Sequence, residues 1–516
     1  MSDLRRTIDQ LPLRFKGSGG AVAVVKDGAV IAREAWGYAD LLRQTPFTPA
    51  TPFPICSITK QFTCATLLNQ LGDPSLLDEA LRARLPLLQD KPPSILHLCH
   101  NQSGLRDYWA MTVLSGAKPE GAFRPADARA LIGRTRTLHF PAGHHYSYSN
   151  GNFRLISDLI EDRASKPFDE ILRTRILQPA GMETARLNPE TGDIPGGVVG
   201  YEGNEAFGFI PAVNRISWTG DAGIVATLDD MIAWERFIDA TRDNPLGLYR
   251  RLSTRPAYAD GTKAYYGFGL AHMESNDVVL TGHGGALRGF RSQRVHSAAE
   301  RLSVVVLFNH HANAREAAFE MLRAALGQQS NPKPETAYND GWTGSYHDAQ
   351  TDLLLDLSAG RQQGQVSARF TTDAEMLDLV NETEATSAGM SLRREGDIIH
   401  VSRPFDNLSA AMTRVTGASA TDVAGKFRSP ELDADFHIIA QGSAFFGSFE
   451  GFLGKGAAQP MYPVGGDVWR LPCQRSMDAP APGDWTLHFE RDANSRITAV
   501  MVGCWLARRV RFERYA

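Results

Sequence analysis

A chain of 516 residues is too long for one compact core, and about two to four domains are expected. Hydrophobic residues at 43% and charged residues at 22% exclude a disordered or fibrous protein. Lys plus Arg (54) against Asp plus Glu (58) leaves a net charge of -4 without a basic stripe, so nucleic acid is excluded as a partner.

The chain opens on Met1-Ser2-Asp3-Leu4-Arg5-Arg6, a polar start without the apolar run of a secretory signal. Ala21–Val25 and Ala29–Trp36 favour strands, and Lys26-Asp27-Gly28 between them predicts a hairpin. From Ser57 to Leu71 there is no Pro or Gly. Lys60, Cys64, Leu68 and Leu71 recur there at helical spacing, which predicts an amphipathic helix with Ser57 at its start. Further on, Thr227 followed by Asp230 resembles a capping box ahead of a helix over Met231–Ile238. Strands are expected at Tyr266–Met273, Val278–His283 and Leu302–Phe308, then a helix at Ala314–Leu326. Apolar runs such as Ser303–Phe308 are strand-sized, so no membrane span is expected.

The segment 327–334 is polar and carries two prolines, the composition of an exposed linker. Beyond it strand patterns dominate, with a weak repeat: Gly344-Ser345-Tyr346 before Asp352 resembles Gly425-Lys426-Phe427 before Asp433. Two small β domains split near Thr416–Thr421 are expected, one larger β domain being the alternative. Five cysteines, an odd number without metal spacing, argue against a disulfide framework and for a reducing, cytoplasmic setting.

Three short motifs carry candidate chemistry. Ser57-Ile58-Thr59-Lys60 puts a hydroxyl and an amine on one helix face, at a helix start whose free amides favour developing negative charge. Ser-x-x-Lys alone is a weak signal, and Ser115-Gly116-Ala117-Lys118 repeats it, but Gly116 and Pro119 make that copy a loop. Tyr148-Ser149-Asn150 offers a phenol to relay a proton and an amide to orient the lysine or the substrate, with Tyr146 as the rival phenol. His283-Gly284-Gly285-Ala286 ends an apolar strand in small residues, suited to an edge on which an extended peptide pairs. The histidine pairs elsewhere lack carboxylate or Cys ligands at productive spacing, and no Gly-x-Ser-x-Gly elbow occurs; no metal and no cofactor is expected.

Taken in order, Ser-x-x-Lys, Tyr-x-Asn and His-x-Gly resemble the three-part signature of the penicillin-recognising serine hydrolases: class C β-lactamases, serine DD-peptidases and their esterase and aminopeptidase relatives. Trp36-Gly37-Tyr38-Ala39-Asp40, Ser103-Gly104-Leu105, and Gly220-Asp221-Ala222-Gly223 with Trp234 resemble the family framework. Within the family the chain is most similar, over its full length, to the bacterial D-aminopeptidases. That resemblance implies an α/β (α+β) β-lactamase-like catalytic domain over 1–330, with a central antiparallel sheet flanked by helices. Antiparallel β-barrels over 338–416 and 420–516 follow, the last with a loop reaching the active site. It also implies a homodimer.

The same resemblance makes Ser57 the acylating nucleophile, Lys60 and Tyr148 its proton-handling partners, and His283 the opposite wall. It places the oxyanion hole at the amides of Ser57 and Ala286, with Asn150, Gly284 and Gly285 along the substrate. As a base, Lys60 needs a lowered pKa, to which burial and a charged His283 would both contribute. Where carboxylate-binding relatives carry Lys-Thr-Gly, this chain has His283-Gly284 and lacks the hydroxyl. A D-aminopeptidase instead needs an acid for a free α-ammonium. The implied loop is Gln474-Arg475-Ser476-Met477-Asp478-Ala479-Pro480, with Asp478 as the ammonium partner; Arg291 is a further pocket candidate. The implied substrate is a small peptide or amide with an N-terminal D-residue, with β-lactams as candidate inhibitors. The alternatives are a DD-carboxypeptidase, β-lactamase or esterase, or a non-catalytic penicillin-binding-like protein.

Overall fold

Asp27 and Gly28 both take left-handed φ (51° and 74°), the two-residue turn that joins Gly19–Lys26 (β1) to Ala29–Asp40 (β2). The structure is a computed structural model that describes residues 3–328, 336–370, 373–473 and 475–515. The hairpin extends into an antiparallel sheet with Thr45–Pro46 (β3), Tyr266–Gly267 (β4), Leu270–Ser275 (β5), Val278–Leu287 (β6), Phe290–Ser297 (β7) and Leu302–Phe308 (β8). Its order is β3-β2-β1-β8-β7-β6-β5-β4. β8 is buried throughout and β1 at all but Lys26, so both faces of the sheet centre are covered. Asp3–Arg14 (α1), Leu228–Ala240 (α5) and Ala314–Leu326 (α6) contribute to that cover.

Several expected elements form as read. Thr227 Oγ1 accepts from the Asp230 amide at 3.0 Å while Asp230 Oδ2 accepts from the Thr227 amide at 2.9 Å, closing the capping box of α5. α6 spans the expected residues. The Tyr266–Met273 strand, by contrast, breaks at Phe268-Gly269, whose left-handed φ values (47° and 76°) turn the chain back on itself.

The helix after Ser57 needs a larger correction. A short 3-10 turn, Cys56–Ile58, leads into Thr59–Leu71 (α2), and every residue from Thr59 to Leu68 is buried, so the helix is not amphipathic. It runs through the interior, where Thr63 Oγ1 donates to Gly220 O at 2.7 Å and Thr66 Oγ1 to Phe62 O of the helix's own preceding turn at 2.8 Å, while Gln61 Oε1 is left without a partner among the described residues.

Of the expected linker, residues 329–334 lie outside the described residues. Eight antiparallel strands from Gly344–Asp348 to Leu408–Arg414 then close into a barrel. A second ring of eight, from Gly425–Ser429 to Ala507–Arg514, closes where Ala434–Gln441 pairs with Ala444–Gly451. The repeat survives in the backbone, since Asp352 and Asp433 both take left-handed φ (55° and 53°). The barrels differ in how they are held. The first has its own core around Trp342 and Tyr346, whereas the core of the second is continuous with that of the sheet and helices. Gly116 and Gly454 show how close that second contact is, for a Cβ on Gly116 would sit 2.0 Å from Gly454 O.

Candidate active site

From Phe53 to Leu68 only Ser57 is not fully buried. The chain reaches it through Cys56, whose φ of 53° is a strained value for a residue with a side chain and turns the serine out of the core. One helical turn on, Lys60 is completely buried, and its Nζ donates to Ser57 Oγ at 3.0 Å, Asn150 Oδ1 at 2.8 Å and Asp221 O at 2.6 Å. Burial lowers its pKa to about 8, against the opposing pull of Asp221 and Asp107.

Asn150 is the first residue of Asn150–Ala164 (α4) and is held by Asp107. The Asp107 carboxylate accepts from the Asn150 amide at 2.8 Å and from Asn150 Nδ2 at 3.2 Å on each oxygen. Asp107 only accepts when ionised, so Asn150 must turn Nδ2 to it and present Oδ1 to Lys60. Burial raises the Asp107 pKa to about 6. Tyr148, just before α4, brings its hydroxyl beside Ser57, and its ring centre lies 4.8 Å from Lys60 Nζ. Burial holds this phenol above its ordinary pKa and therefore protonated. Tyr146, the rival, packs its ring on Tyr265 and Tyr266.

The facing wall is β6. Val278, Leu280 and Gly282 are paired with β5, and by the alternation of an antiparallel ladder Gly284 and Ala286 turn their N–H groups to the same side. The pairing with β5 ends at Gly282, so those groups meet an open edge. His283 thus lies mid-strand, and β6 is interior in its first half and an edge only beyond Gly282, which corrects the expected strand-end. Gly285 allows the close approach to Ser57: a Cβ there would stand 2.4 Å from Ile55 O, and Ser292 Oγ on β7 donates to that same carbonyl at 3.0 Å.

His283 also departs from expectation. Its Nδ1–H donates to Gly284 O, and Nε2 accepts from the Tyr266 hydroxyl at 2.8 Å. Burial and the Lys60 charge lower its pKa to about 3. It is a neutral wall residue, and burial rather than a charged His283 lowers the Lys60 pKa.

Arg475–Ser476 and Ala479–Pro480 form a minimal hairpin turning at Met477-Asp478, with Met477 at φ 55°. Gln474 lies outside the described residues. The hairpin packs between Tyr108–Leu114 (α3), the helix that follows Asp107, and the β6 wall. Asp478 is 1% exposed, its Oδ2 accepts from the Arg215 amide at 2.6 Å, and its Oδ1 is buried with no hydrogen-bond partner among the described residues. Burial raises its pKa.

Comparison with known proteins places this arrangement. The beta-lactamase family profile matches residues 4–329, and that of D-aminopeptidase, domain B, matches residues 335–513. A D-aminopeptidase of Brucella anthropi is 53% identical over 515 residues, spanning 100% of this chain and 98% of its own. The chain belongs to the D-aminopeptidase family. Another member, from Brucella canis, is 52% identical over 512 residues, 99% of this chain and 98% of its own. Two solved structures share the fold. The octameric penicillin-binding protein homologue from Pyrococcus abyssi has a TM-score of 0.55 at 19% identity, covering 80% of this chain and 99% of that one. The D-amino acid amidase from Ochrobactrum anthropi SV3 complexed with D-phenylalanine has 0.53 at 21%, covering 63% and 99%.

In this D-aminopeptidase-family chain two candidates fall away from the cleft. On β6 and β7 the pair Gly285 and Ser292 faces Ile55, so the neighbouring pair Ala286 and Arg291 points its side chains to the other face. Arg291 there donates to Leu287 O and Phe290 O at 2.8 Å each; it braces the turn and does not line the pocket. Ser115 ends α3, buried, and its carbonyl accepts from the Leu453 amide of the second barrel. Asp107, Tyr266 and the Asp221 carbonyl were not legible as site groups. Asp107 stands two residues past Ser103-Gly104-Leu105, and that neighbourhood is the only signal the sequence offers for it.

Proposed function

We propose that the chain is a serine aminopeptidase that removes small N-terminal D-residues, such as D-alanine, from peptides and amides through an acyl-enzyme on Ser57. Relatives at 53% and 52% identity over the whole length carry the name D-aminopeptidase. The observation that carries the mechanism is the bonding of Lys60 Nζ. A neutral amine has two N–H groups and one lone pair; Asn150 Oδ1 and Asp221 O can only accept and so take the N–H groups, leaving the lone pair to Ser57. With a pKa of about 8, roughly a tenth of the lysines are in that state at pH 7.

Ser57 Oγ attacks the scissile carbonyl as its proton passes to Lys60, and the backbone amides of Ser57 and Ala286 take the oxyanion. Collapse breaks the C–N bond and expels the amine, which receives the Tyr148 proton; Tyr148 is replenished from Lys60. Water then resolves the ester by the reverse route. The protonated state of Tyr148 supports Lys60 as base and Tyr148 as donor. The substrate main chain runs along Gly284 and Gly285, and the unpartnered Oδ1 of Asp478 takes its α-ammonium.

The proposed domains are 1–330, 338–416 and 420–516, assembled as a homodimer in the cytoplasm. The cysteines, all free, support a reducing setting. Light scattering tests the assembly, and a mass other than that of two chains overturns it.

Turnover of D-alanine p-nitroanilide, its L-enantiomer and a cephalosporin tests the activity. Selective turnover of the D-substrate, abolished in Ser57→Ala, is expected; equal turnover of both enantiomers overturns the reading. Mass spectrometry after trapping with a slow substrate is expected to place the adduct on the peptide containing Ser57, not Ser115.

A further inference from the structure

Away from Ser57, the two barrels meet at a cluster of side chains that hydrolysis does not use. His347 comes from the first strand of the first barrel, Asp352 from the left-handed turn after it, and His488 from Trp485–Arg491 of the second barrel. Asp352 Oδ1 lies 2.9 Å from His488 Nδ1 and 3.6 Å from His347 Nε2. The imidazoles stand edge to face at 4.8 Å between ring centres. His347 Nε2 is buried and makes no hydrogen bond among the described residues. Arg509, also from the second barrel, pairs with Asp352 Oδ2 at 3.3 Å and donates to Ala349 O and Gln350 O.

The geometry points to a divalent transition-metal site of the zinc type, in which His347 Nε2, His488 Nδ1 and Asp352 Oδ1 bind one ion and pin the two barrels together. One candidate ligand atom from each residue lies within 4.8 Å of the others. Ligand atoms around tetrahedral zinc stand about 3.3 Å apart, so the widest pair must close by roughly 1.5 Å, within reach of a small ring rotation. Arg509 stands at ion-pair distance from Oδ2, which makes no hydrogen bond among the described residues, while Oδ1 faces both imidazoles and is the single-atom ligand. The ligand set also selects the ion. One carboxylate beside an arginine offers little net negative charge to Ca2+ or Mg2+, while two imidazoles suit zinc, copper or nickel. Both imidazoles stand on barrel strands and neither shares a hydrogen bond or ring contact with Ser57, Lys60, Tyr148 or His283, so the ion would be structural.

The test uses the full chain, stripped with a chelator, loaded with Zn2+, dialysed and analysed for metal. The wild type is expected to retain one zinc per chain, and His347→Ala and Asp352→Asn to lose it. His347→Ala removes no hydrogen bond of Nε2, so its fold, checked by circular dichroism, should persist. Zinc is also expected to raise the melting temperature of the wild type and not of His347→Ala, and Co2+ in its place should give tetrahedral visible absorption. No retained zinc in the wild type, or equal retention in wild type and His347→Ala, overturns the site.

Discussion

Asn150 Oδ1 stands 2.8 Å from Lys60 Nζ because the other end of the same amide is held by Asp107. A buried acid thereby fixes which end of the amide the buried amine meets. The first prediction concerns that base. Lys60 has a lowered pKa of about 8, and in the proposed mechanism it acts when neutral, so kcat/KM for D-alanine p-nitroanilide is expected to rise with pH and level above about 8. Lys60→Ala is expected to lower kcat/KM by about a thousandfold or more. A profile with no acid limb near pH 8 would contradict the assignment.

Asp107 adds a second ionisation. Its folded pKa, raised to about 6, lies above the unfolded value, so it is a carboxylate above pH 6 and protonated below. The acid limb of kcat/KM should therefore steepen below about pH 6, as Asp107 loses its grip on Asn150. Asp107→Asn is expected to lower kcat by about tenfold to a hundredfold, with little change in KM, and to abolish the steepening. Persistence of the steeper limb in Asp107→Asn would remove Asp107 from this role.

Gly285→Ala tests the closeness of the walls. The added Cβ would lie 2.4 Å from Ile55 O and must push β6 away from the Cys56–Ile58 turn. A stability loss of about 1–3 kcal/mol is expected by urea unfolding, with kcat/KM down by roughly a hundredfold. Near wild-type activity would mean that β6 does not need this proximity.

Asp478→Asn keeps an acceptor for the Arg215 amide but removes the charge. Turnover of substrates with a free α-ammonium is expected to fall by about 1.5–3 kcal/mol in kcat/KM, mostly through KM, while an N-acetylated analogue is unaffected. Equal losses on both substrates would assign Asp478 to the hairpin's stability alone.

Local order in the chain carried much of this. Asp27-Gly28 sets a hairpin by its own φ preferences, Thr227 and Asp230 cap α5 across a single turn, and the pitch of a helix brings Lys60 to Ser57. The recurrence of Gly344 and Asp352 at Gly425 and Asp433 announced two β-barrels through matching turns. These features depend on residues a few positions apart, whose mutual geometry the backbone dictates.

What the sequence determined by itself was therefore the order of the motifs, the approach of Lys60 to Ser57 and the change from sheet and helices to barrels. Tertiary structure alone decided that α2 is buried all round, that β6 loses its neighbour after Gly282, that His283 is neutral and that Arg291 turns away. It alone brought Asp107 to Asn150, packed the Asp478 hairpin against β6 and drew His347, Asp352 and His488 together. Burial, pKa and the choice of sheet face are set by which distant segments exclude water from a side chain, and no spacing along the chain encodes that exclusion.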